Sequence, residues 1–155
     1  MATVSYRPTL GRFHVALRGR GALAGRRNSP RLAAMSPLST RSGSGVCVTY
    51  QAPAELARLR RGFDAFDIVL DDDPARDFDN VNDLFTGRLD AFAGRGNDLL
   101  DWGAIAFLAV QAGGVATALD GSPLACFEDF GNRRVDLLVA ASPEIHARLL
   151  AILRA

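Results

Sequence analysis

The most regular hydrophobic pattern of the chain lies in residues 99–124. From Trp102 onward, apolar residues recur at steps of three and four positions, which predicts a helix with one buried face. The Gly-Gly pair at 113–114 ends this helix, because glycine readily adopts the left-handed conformation that follows a helix C-terminus. Residues 115–119 are then a short β-prone run, and the Asp-Gly pair at 120–121 predicts a turn after it.

The N-terminal part of the chain predicts a hairpin followed by irregular structure. Residues 3–6 and 12–17 are β-prone runs, and the turn residues at 8–11 lie between them. We expect the two strands to pair and to project from the rest of the fold. Residues 18–45 are rich in Gly, Arg, Ser and Pro without periodicity, so they predict a loop. This loop would carry Leu23, Leu32 and Leu38 over the surface.

The middle of the chain predicts alternating strands and helices. Residues 46–50 and 66–70 are β-runs with a short predicted helix at 54–62 between them, and this order favours a parallel pair. A second helix is predicted from Asp77, followed by a small glycine loop at 94–96. The apolar positions that mark this second helix are Val81, Leu84, Phe85 and Leu89.

The C-terminal part predicts a strand and a well-capped helix. Residues 135–140 are a β-run. Ser142, Pro143 and Glu144 then supply a hydroxyl N-cap, a proline at the first helical position and an acid in the first turn. The predicted buried stripe of this helix is Ile145, Leu149, Ile152 and Leu153.

Together these elements predict an α/β fold in one domain that spans residues 1–155. Its core, residues 46–155, would hold a mixed sheet with helices on both faces. Residues 1–45 would add the hairpin and the irregular loop. The chain is long enough to bury a sizeable core.

Composition narrows the class of protein. Hydrophobic residues make up 48% of the chain, but no run of about 18 apolar residues occurs, so no membrane span is expected. The first eight residues lack the apolar core of a secretory signal. Cys47 and Cys126 have no CxxC spacing and favour two reduced thiols. We therefore expect a soluble cytoplasmic protein.

Charge is distributed unevenly along the chain. Residues 1–62 hold eleven arginines against the single acid Glu55, whereas the remainder holds seven arginines against sixteen acids. Every basic residue is arginine, which indicates a compositional bias. The basic half lacks interleaved aromatic residues and any known nucleic-acid-binding module, so no nucleic-acid partner is predicted.

Asp101, at the start of the predicted central helix, is the main candidate for chemistry. A hard cation such as Mg²⁺ prefers oxygen ligands and commonly takes one or two protein carboxylates. The alternative is an ordinary N-cap that accepts backbone N–H bonds.

Other polar residues carry weaker signals. An acidic run could gather a cation or form a solvated loop with helix N-terminal charges. His14 and His146 have no Ser, Cys or Asp partner in the sequence pattern, so we expect surface or interface residues rather than bases. The acidic run consists of Asp71, Asp72, Asp73, Asp77 and Asp79.

Four segments in order resemble the inositol monophosphatase-like family of sugar phosphatases. Residues 100–114 resemble its WDxAAG and EAGG signature, with Leu100 in place of the tryptophan and Gln111 in place of the acid. Residues 5–23 are similar to a hairpin of that family, residues 87–92 match its GRLDAF motif, and residues 139–150 resemble its closing ASNPxIHxxLL. These segments correspond to the C-terminal part of the family.

The resemblance implies a fold and a chemistry. The fold would be the layered αβ sandwich of the sugar phosphatases. Asp101 would be a ligand of Mg²⁺. The remaining ligands of the family come from a Glu-Glu pair and a DPxDGT segment that lie upstream of the matched part. Residues 73–77 begin like the second of these but lack its Gly-Thr and lie too near Asp101.

Two functions therefore stand as hypotheses. The first is Mg²⁺-dependent hydrolysis of a phosphorylated sugar or inositol, with Asp101 as one metal ligand. The second is a catalytically incomplete domain that acts through association, with a homodimer as the candidate assembly. Without the other ligands, the chain alone is expected to be inactive.

Overall fold

The computed structural model describes residues 2–7, 11–28, 45–49, 61, 67–70, 80–124 and 134–155. These residues have a mixed α/β fold with two sheets, as predicted. The predicted helix at 54–62, apart from position 61, and the acidic run at 71–79 lie outside the described residues. Cys126 also lies outside them.

The N-terminal sheet has three antiparallel strands. β1 (Ala2–Arg7) and β2 (Arg12–Leu17) form the predicted hairpin. β3 (Gly21–Arg26) pairs with β2 along its whole length, so the prediction of a loop is wrong for these six residues. The sequence GALAGR has little intrinsic β propensity, and pairing with β2 overrides it. Gly19 and Gly21, with φ of 73° and 81°, make the turn that brings the strand back.

The second sheet has five strands, which lie side by side in the order Asp67–Leu70, Gly45–Thr49, Ala91–Asp98, Arg134–Ala140 and Val115–Ala118. β4 (Gly45–Thr49) lies parallel to both β5 (Asp67–Leu70) and β6 (Ala91–Asp98), which confirms the predicted parallel pair. β8 (Arg134–Ala140) is antiparallel to β6 and to β7 (Val115–Ala118).

The central strand β6 was not predicted. Its glycines at 94 and 96 indicated a loop, and that prediction is wrong. The register with β8 shifts between Gly94 and Asn97, and Gly96 has φ of 61°. A bulge of this kind accommodates glycine inside a strand whose two neighbours supply its hydrogen bonds.

The predicted helix from Asp77 to Leu89 is a short 3-10 helix, Asn80–Phe85. Leu84 and Phe85 are buried on it, and Leu89 is buried beyond its end. Only five residues separate Phe85 from the start of β6, and Gly87, with φ of 81°, turns the chain there. The helix therefore ends at Phe85, before the turn, and does not reach Leu89.

The central helix α1 (Leu99–Gln111) ends where the Gly-Gly pair predicts. Gly113 has φ of 96°, and the Gly114 amide donates to the Ala109 carbonyl at 2.8 Å. Residues 105–109 of α1 are all buried. Five consecutive residues extend around the whole helix, so the prediction of a single buried face is wrong. The reason is that α1 lies between the two sheets and contacts β1 to β3 on one side and β6 to β8 on the other. The N-terminal sheet thus packs on α1 and does not project.

The last helix, α2 (Pro143–Arg154), begins at the predicted N-cap. The Ser142 hydroxyl accepts a hydrogen bond from the Ile145 amide at 3.3 Å. Ile145 and Leu149 are buried, and Ile152 and Leu153 are partly buried against the core. The helix therefore docks through the stripe that its sequence predicts.

The two helices cover opposite faces of the five-stranded sheet, as predicted. Phe92 and Thr117 pair with adjacent residues of β8, so their side chains lie on opposite faces. Trp102 of α1 stacks on Phe92 with ring centroids 4.6 Å apart. His146 of α2 lies within hydrogen-bond distance of Thr117, with Nε2 2.8 Å from Oγ1. The order of layers is sheet, α1, sheet, α2.

We expect Leu108→Ala to lower the free energy of unfolding by about 2–5 kcal/mol, because Leu108 is fully buried in α1. Val110→Ala is the matched control, because Val110 is exposed on the same helix. Urea denaturation of both variants measures the difference. Equal losses in the two variants would show that α1 is not enclosed by the sheets.

Candidate metal site

Asp101 lies in the first turn of α1, which begins directly after β6. Asp98 is the last residue of the strand, Leu99 is the first of the helix, and Asp101 is its third residue. An N-cap immediately precedes the first helical residue, and that position falls on Asp98. The side chain of Asp101 lies outside what the structure describes, so its role as a metal ligand stays a prediction.

The topology of the sheet places the first turn of α1 at an edge of the sheet where ligands can bind. β4, β5 and β6 are parallel, so their carboxyl ends meet at one edge. β4 lies between the two strands that follow it in sequence, and ligands of open α/β sheets bind outside the carboxyl ends at such a switch point. β6 continues from this edge into α1, and β5 ends at Leu70, immediately before the acidic run. The edge therefore receives the first turn of α1, which contains Asp101, from β6.

The bulge of β6 carries the best-defined polar contacts near this end of the sheet. The Asp136 carboxylate accepts the Gly96 amide at 2.9 Å and Arg95 Nη1 at 3.1 Å. Arg134 Nη1 donates to the Gly96 carbonyl at 3.3 Å. The Arg95–Asp136 ion pair is about half exposed and contributes little to stability. Its main effect is to fix the bulge. The sequence gives no signal for this cluster, because the register shift that creates it depends on tertiary pairing.

A groove of about 780 Å³ opens beside this cluster. Three arginines, two aspartates and several apolar residues line it, and Asp101 is not among the described lining residues. On its rim the Ser122 hydroxyl and amide donate to the Asp120 carboxylate and hold the pKa of Asp120 below its ordinary value. Arg154 donates to the Asp120 carbonyl. The described residues that line the groove come from β6, β7, β8, α2 and the turn after β7.

Both histidines are buried, so the prediction of surface or interface positions is wrong. The His14 ring packs at a tilt against Phe85, with centroids 5.3 Å apart. The Thr117 hydroxyl donates to the Ala118 carbonyl at 2.8 Å, so it is left to accept a hydrogen bond from His146 Nε2. Burial, with a smaller effect from Arg154, lowers the pKa of His146. A neutral histidine that bonds a sheet hydroxyl is a packing residue.

Two buried aspartates, Asp83 and Asp90, were not predicted as site residues. The Asp83 carboxylate accepts the Thr86 hydroxyl at 3.1 Å, and its carbonyl accepts the Thr86 amide at 3.2 Å. The Asp90 backbone joins β4 to β8, with its amide 2.6 Å from the Gly45 carbonyl and its carbonyl 2.8 Å from the Ala141 amide. The Asp83 carboxylate therefore holds the turn after the 3-10 helix, whereas these Asp90 contacts are made by its backbone.

The described residues do not form a complete metal site. They contain no group of three His, Cys, Asp or Glu side chains that could hold a metal ion. A divalent cation needs several oxygen ligands, and one predicted carboxylate does not supply them. No catalytic step through a metal can therefore be assigned to these residues.

Comparison with solved structures identifies the fold. The chain resembles inositol monophosphatase from Anabaena (Nostoc), with a TM-score of 0.68 and 22% identity over 97% of this chain and 57% of that one. Mycobacterium tuberculosis SuhB matches with a TM-score of 0.66 and 21% identity over 99% and 58%. Staphylococcal IMPase-I, solved with its products, matches with a TM-score of 0.69 and 17% identity over 100% and 55%.

The chain thus has the inositol monophosphatase-like fold and spans little more than half the length of these structures. No protein-family profile and no curated protein matches it. Among the helices that the structure describes, none is long and apolar enough to cross a membrane.

We expect the lowered pKa of His146 to make stability depend on pH. The unfolded state binds a proton near the ordinary value of 6.5, whereas the folded state does so only at lower pH. The contribution of neutral His146 is therefore complete above pH 6.5 and is lost as the pH falls below it.

The test compares unfolding free energies at pH 7.5 and 5.5 in the unmodified chain and in His146→Gln, whose amide can still donate to Thr117. The unmodified chain should lose more stability on acidification. Equal losses would contradict the assignment.

Proposed function

We propose that this chain is part of a Mg²⁺-dependent phosphomonoesterase for phosphorylated sugars or inositols, in which Asp101 is one metal ligand. The observation that supports this most is the fold, which matches the inositol monophosphatase from Anabaena and the Staphylococcal IMPase over nearly the whole chain. The proposal is also supported by the place of Asp101 in the chain, in the first turn of a helix that begins at the carboxyl edge of the parallel strands.

Completion of the site requires carboxylates beyond Asp101. In the family that the sequence resembles, they come from a Glu-Glu pair and a DPxDGT segment upstream of the part matched here. A cytoplasmic location, where Mg²⁺ and sugar phosphates are available, suits this activity. The chain by itself would bind the metal weakly and turn over no substrate.

The alternative is a catalytically incomplete domain that keeps the fold and acts through association, with a homodimer as its simplest assembly. The resemblance covers only the C-terminal part of the family, without its Glu-Glu pair and DPxDGT segment, and this favours the second function. The coding sequence immediately upstream of Met1 distinguishes the two functions. A Glu-Glu pair and a DPxDGT-like segment there would complete the enzyme, whereas a stop codon close upstream would leave the associating domain.

Asp101→Asn is expected to lower both the apparent Mg²⁺ affinity and the rate of phosphate release in the extended protein, because the amide lacks the negative charge that Mg²⁺ needs. Glu144→Gln is the matched control, since Glu144 lies in the first turn of α2. Both variants should melt within a few degrees of the parent.

The assay measures phosphate release from inositol and sugar monophosphates against Mg²⁺ concentration, with the 155-residue chain as a baseline of negligible turnover. An unchanged rate and Mg²⁺ requirement in Asp101→Asn would rule out the ligand role. Metal-dependent turnover by the chain alone would show that the site is complete without upstream residues.

A further inference from the structure

The groove beside the β6 bulge opens on the face of the five-stranded sheet that α2 covers. Thr117 lies on that face, because its hydroxyl contacts His146 of α2. Thr117 pairs with Leu138, and Asp136 lies two positions before Leu138 on β8, so Asp136 is on the same face. The groove volume of about 780 Å³ is within the range of sites for small organic ligands, roughly 300–1,000 Å³. The groove is therefore large enough to hold a small molecule.

One part of the lining of the groove is apolar. It comes from the end of β7 and the turn after it, from β8 and from α2. Leu124, Val135 and Leu153 are partly buried against the core, whereas Pro123 is exposed. Apolar surface that is still open to water gains free energy when a ligand covers it. This part of the groove therefore favours a ligand with an apolar body.

The two carboxylates that line the groove already accept hydrogen bonds. Asp136 accepts the Gly96 amide at 2.9 Å and Arg95 Nη1 at 3.1 Å, one on each oxygen. Asp120 accepts the Ser122 amide at 2.8 Å and the Ser122 hydroxyl at 2.6 Å. Both carboxylates are thus held by hydrogen bonds to groups other than the two remaining arginines of the groove.

Those two arginines, Arg134 and Arg154, donate to backbone carbonyl groups. Arg134 Nη1 donates to the Gly96 carbonyl at 3.3 Å, and Arg154 Nη2 donates to the Asp120 carbonyl. Within the described part of the chain, neither guanidinium forms an ion pair with a carboxylate. A guanidinium carries five N–H donors, and these contacts use one nitrogen of each, so both can also donate to an oxyanion.

The glycine in the turn after β7 fixes the position of Arg154. A Cβ atom at Gly121 would lie 2.6 Å from Arg154 Nη2 and 2.8 Å from Leu150 Cδ2, so the guanidinium packs directly on the glycine backbone. Gly121 also has φ of 86°, a conformation that favours glycine. The charged group is therefore held at the groove before a ligand binds, which lowers the entropic cost of binding.

We propose that the groove binds a small amphipathic organic anion, with a carboxylate or phosphate group at Arg134 and Arg154 and an apolar body against Leu124, Val135 and Leu153. Guanidinium groups match both kinds of oxyanion in geometry and charge. An organic cation would instead meet two arginines that no carboxylate neutralises. The proposal does not depend on the phosphatase function, because it uses no metal ion.

The test titrates four compounds into the isotope-labelled 155-residue chain without divalent cations and follows amide signals by NMR. They are naphthoate, naphthyl phosphate, naphthylmethylamine and inorganic phosphate. The two naphthyl anions should shift the signals of residues 95–96, 118–124 and 134–136. They should bind at least about tenfold more tightly than the amine, which has the wrong charge, and than inorganic phosphate, which has no apolar body. A stronger response to one of the two anions would identify the head group of the ligand.

The double variant Arg134→Gln/Arg154→Gln should lower the affinity for the naphthyl anions by about tenfold or more, because it removes both guanidinium groups. Arg20→Gln/Arg148→Gln is the matched control with the same net charge. Arg20 and Arg148 are exposed and are not among the residues that line the groove, so this variant should bind as the unmodified chain does. Circular dichroism melting verifies that both variants are folded, as expected for exposed positions.

Four results would overturn the proposal. The first is no shift of the groove signals with either naphthyl anion, or shifts that are centred elsewhere. The second is equal affinity for the amine, and the third is equal affinity for inorganic phosphate, which would indicate a simple ion site. The fourth is an equal loss of affinity in the two double variants, which would show that only net charge matters. The first three use the unmodified chain and do not depend on how the variants fold.

Discussion

The structure depends on the burial of α1 between two sheets. A helix that contacts a sheet on each side cannot have a polar face in its middle, and residues 105–109 are buried without interruption. The helix supplies apolar surface to both halves of the fold and is their shared core. The turn after β2 is also tied to this helix, since the Gly19 amide donates to Gln111 Oε1 at 3.0 Å.

This arrangement also fixes the position of Asp101. α1 begins without a linker after β6, the middle strand of the five-stranded sheet, so its first turn must lie at the carboxyl edge of the parallel strands. The packing that buries the helix therefore also sets where its first turn lies relative to the sheet. A change in the register of β6 or the packing of α1 would move Asp101 relative to the sheet.

Local sequence predicted the elements whose signals are local. The Gly-Gly stop of α1, the Ser142 cap of α2 and the β-prone run of β8 are all signals carried by a few neighbouring residues. β3 and β6 were missed because their glycine-rich sequences form strands only when neighbouring strands provide the pairing. The helix from Asp77 was predicted too long because the following turn into β6 is set by the sheet.

The same distinction applies to the candidate site. Asp101 could be selected from motif resemblance, and topology then gave its location. The burial of His146 and the Asp136 contacts with the β6 bulge could not be predicted, because both depend on strand register and helix docking.

The most direct test of the central claim is paramagnetic NMR with Mn²⁺ as a substitute for Mg²⁺ on the 155-residue chain. Mn²⁺ broadens amide signals close to where it binds, so even weak binding to a single carboxylate can be located. The account predicts broadening centred on the first turn of α1 that is lost in Asp101→Asn and retained in Glu144→Gln. Broadening that is centred elsewhere, or that persists in Asp101→Asn, would contradict it.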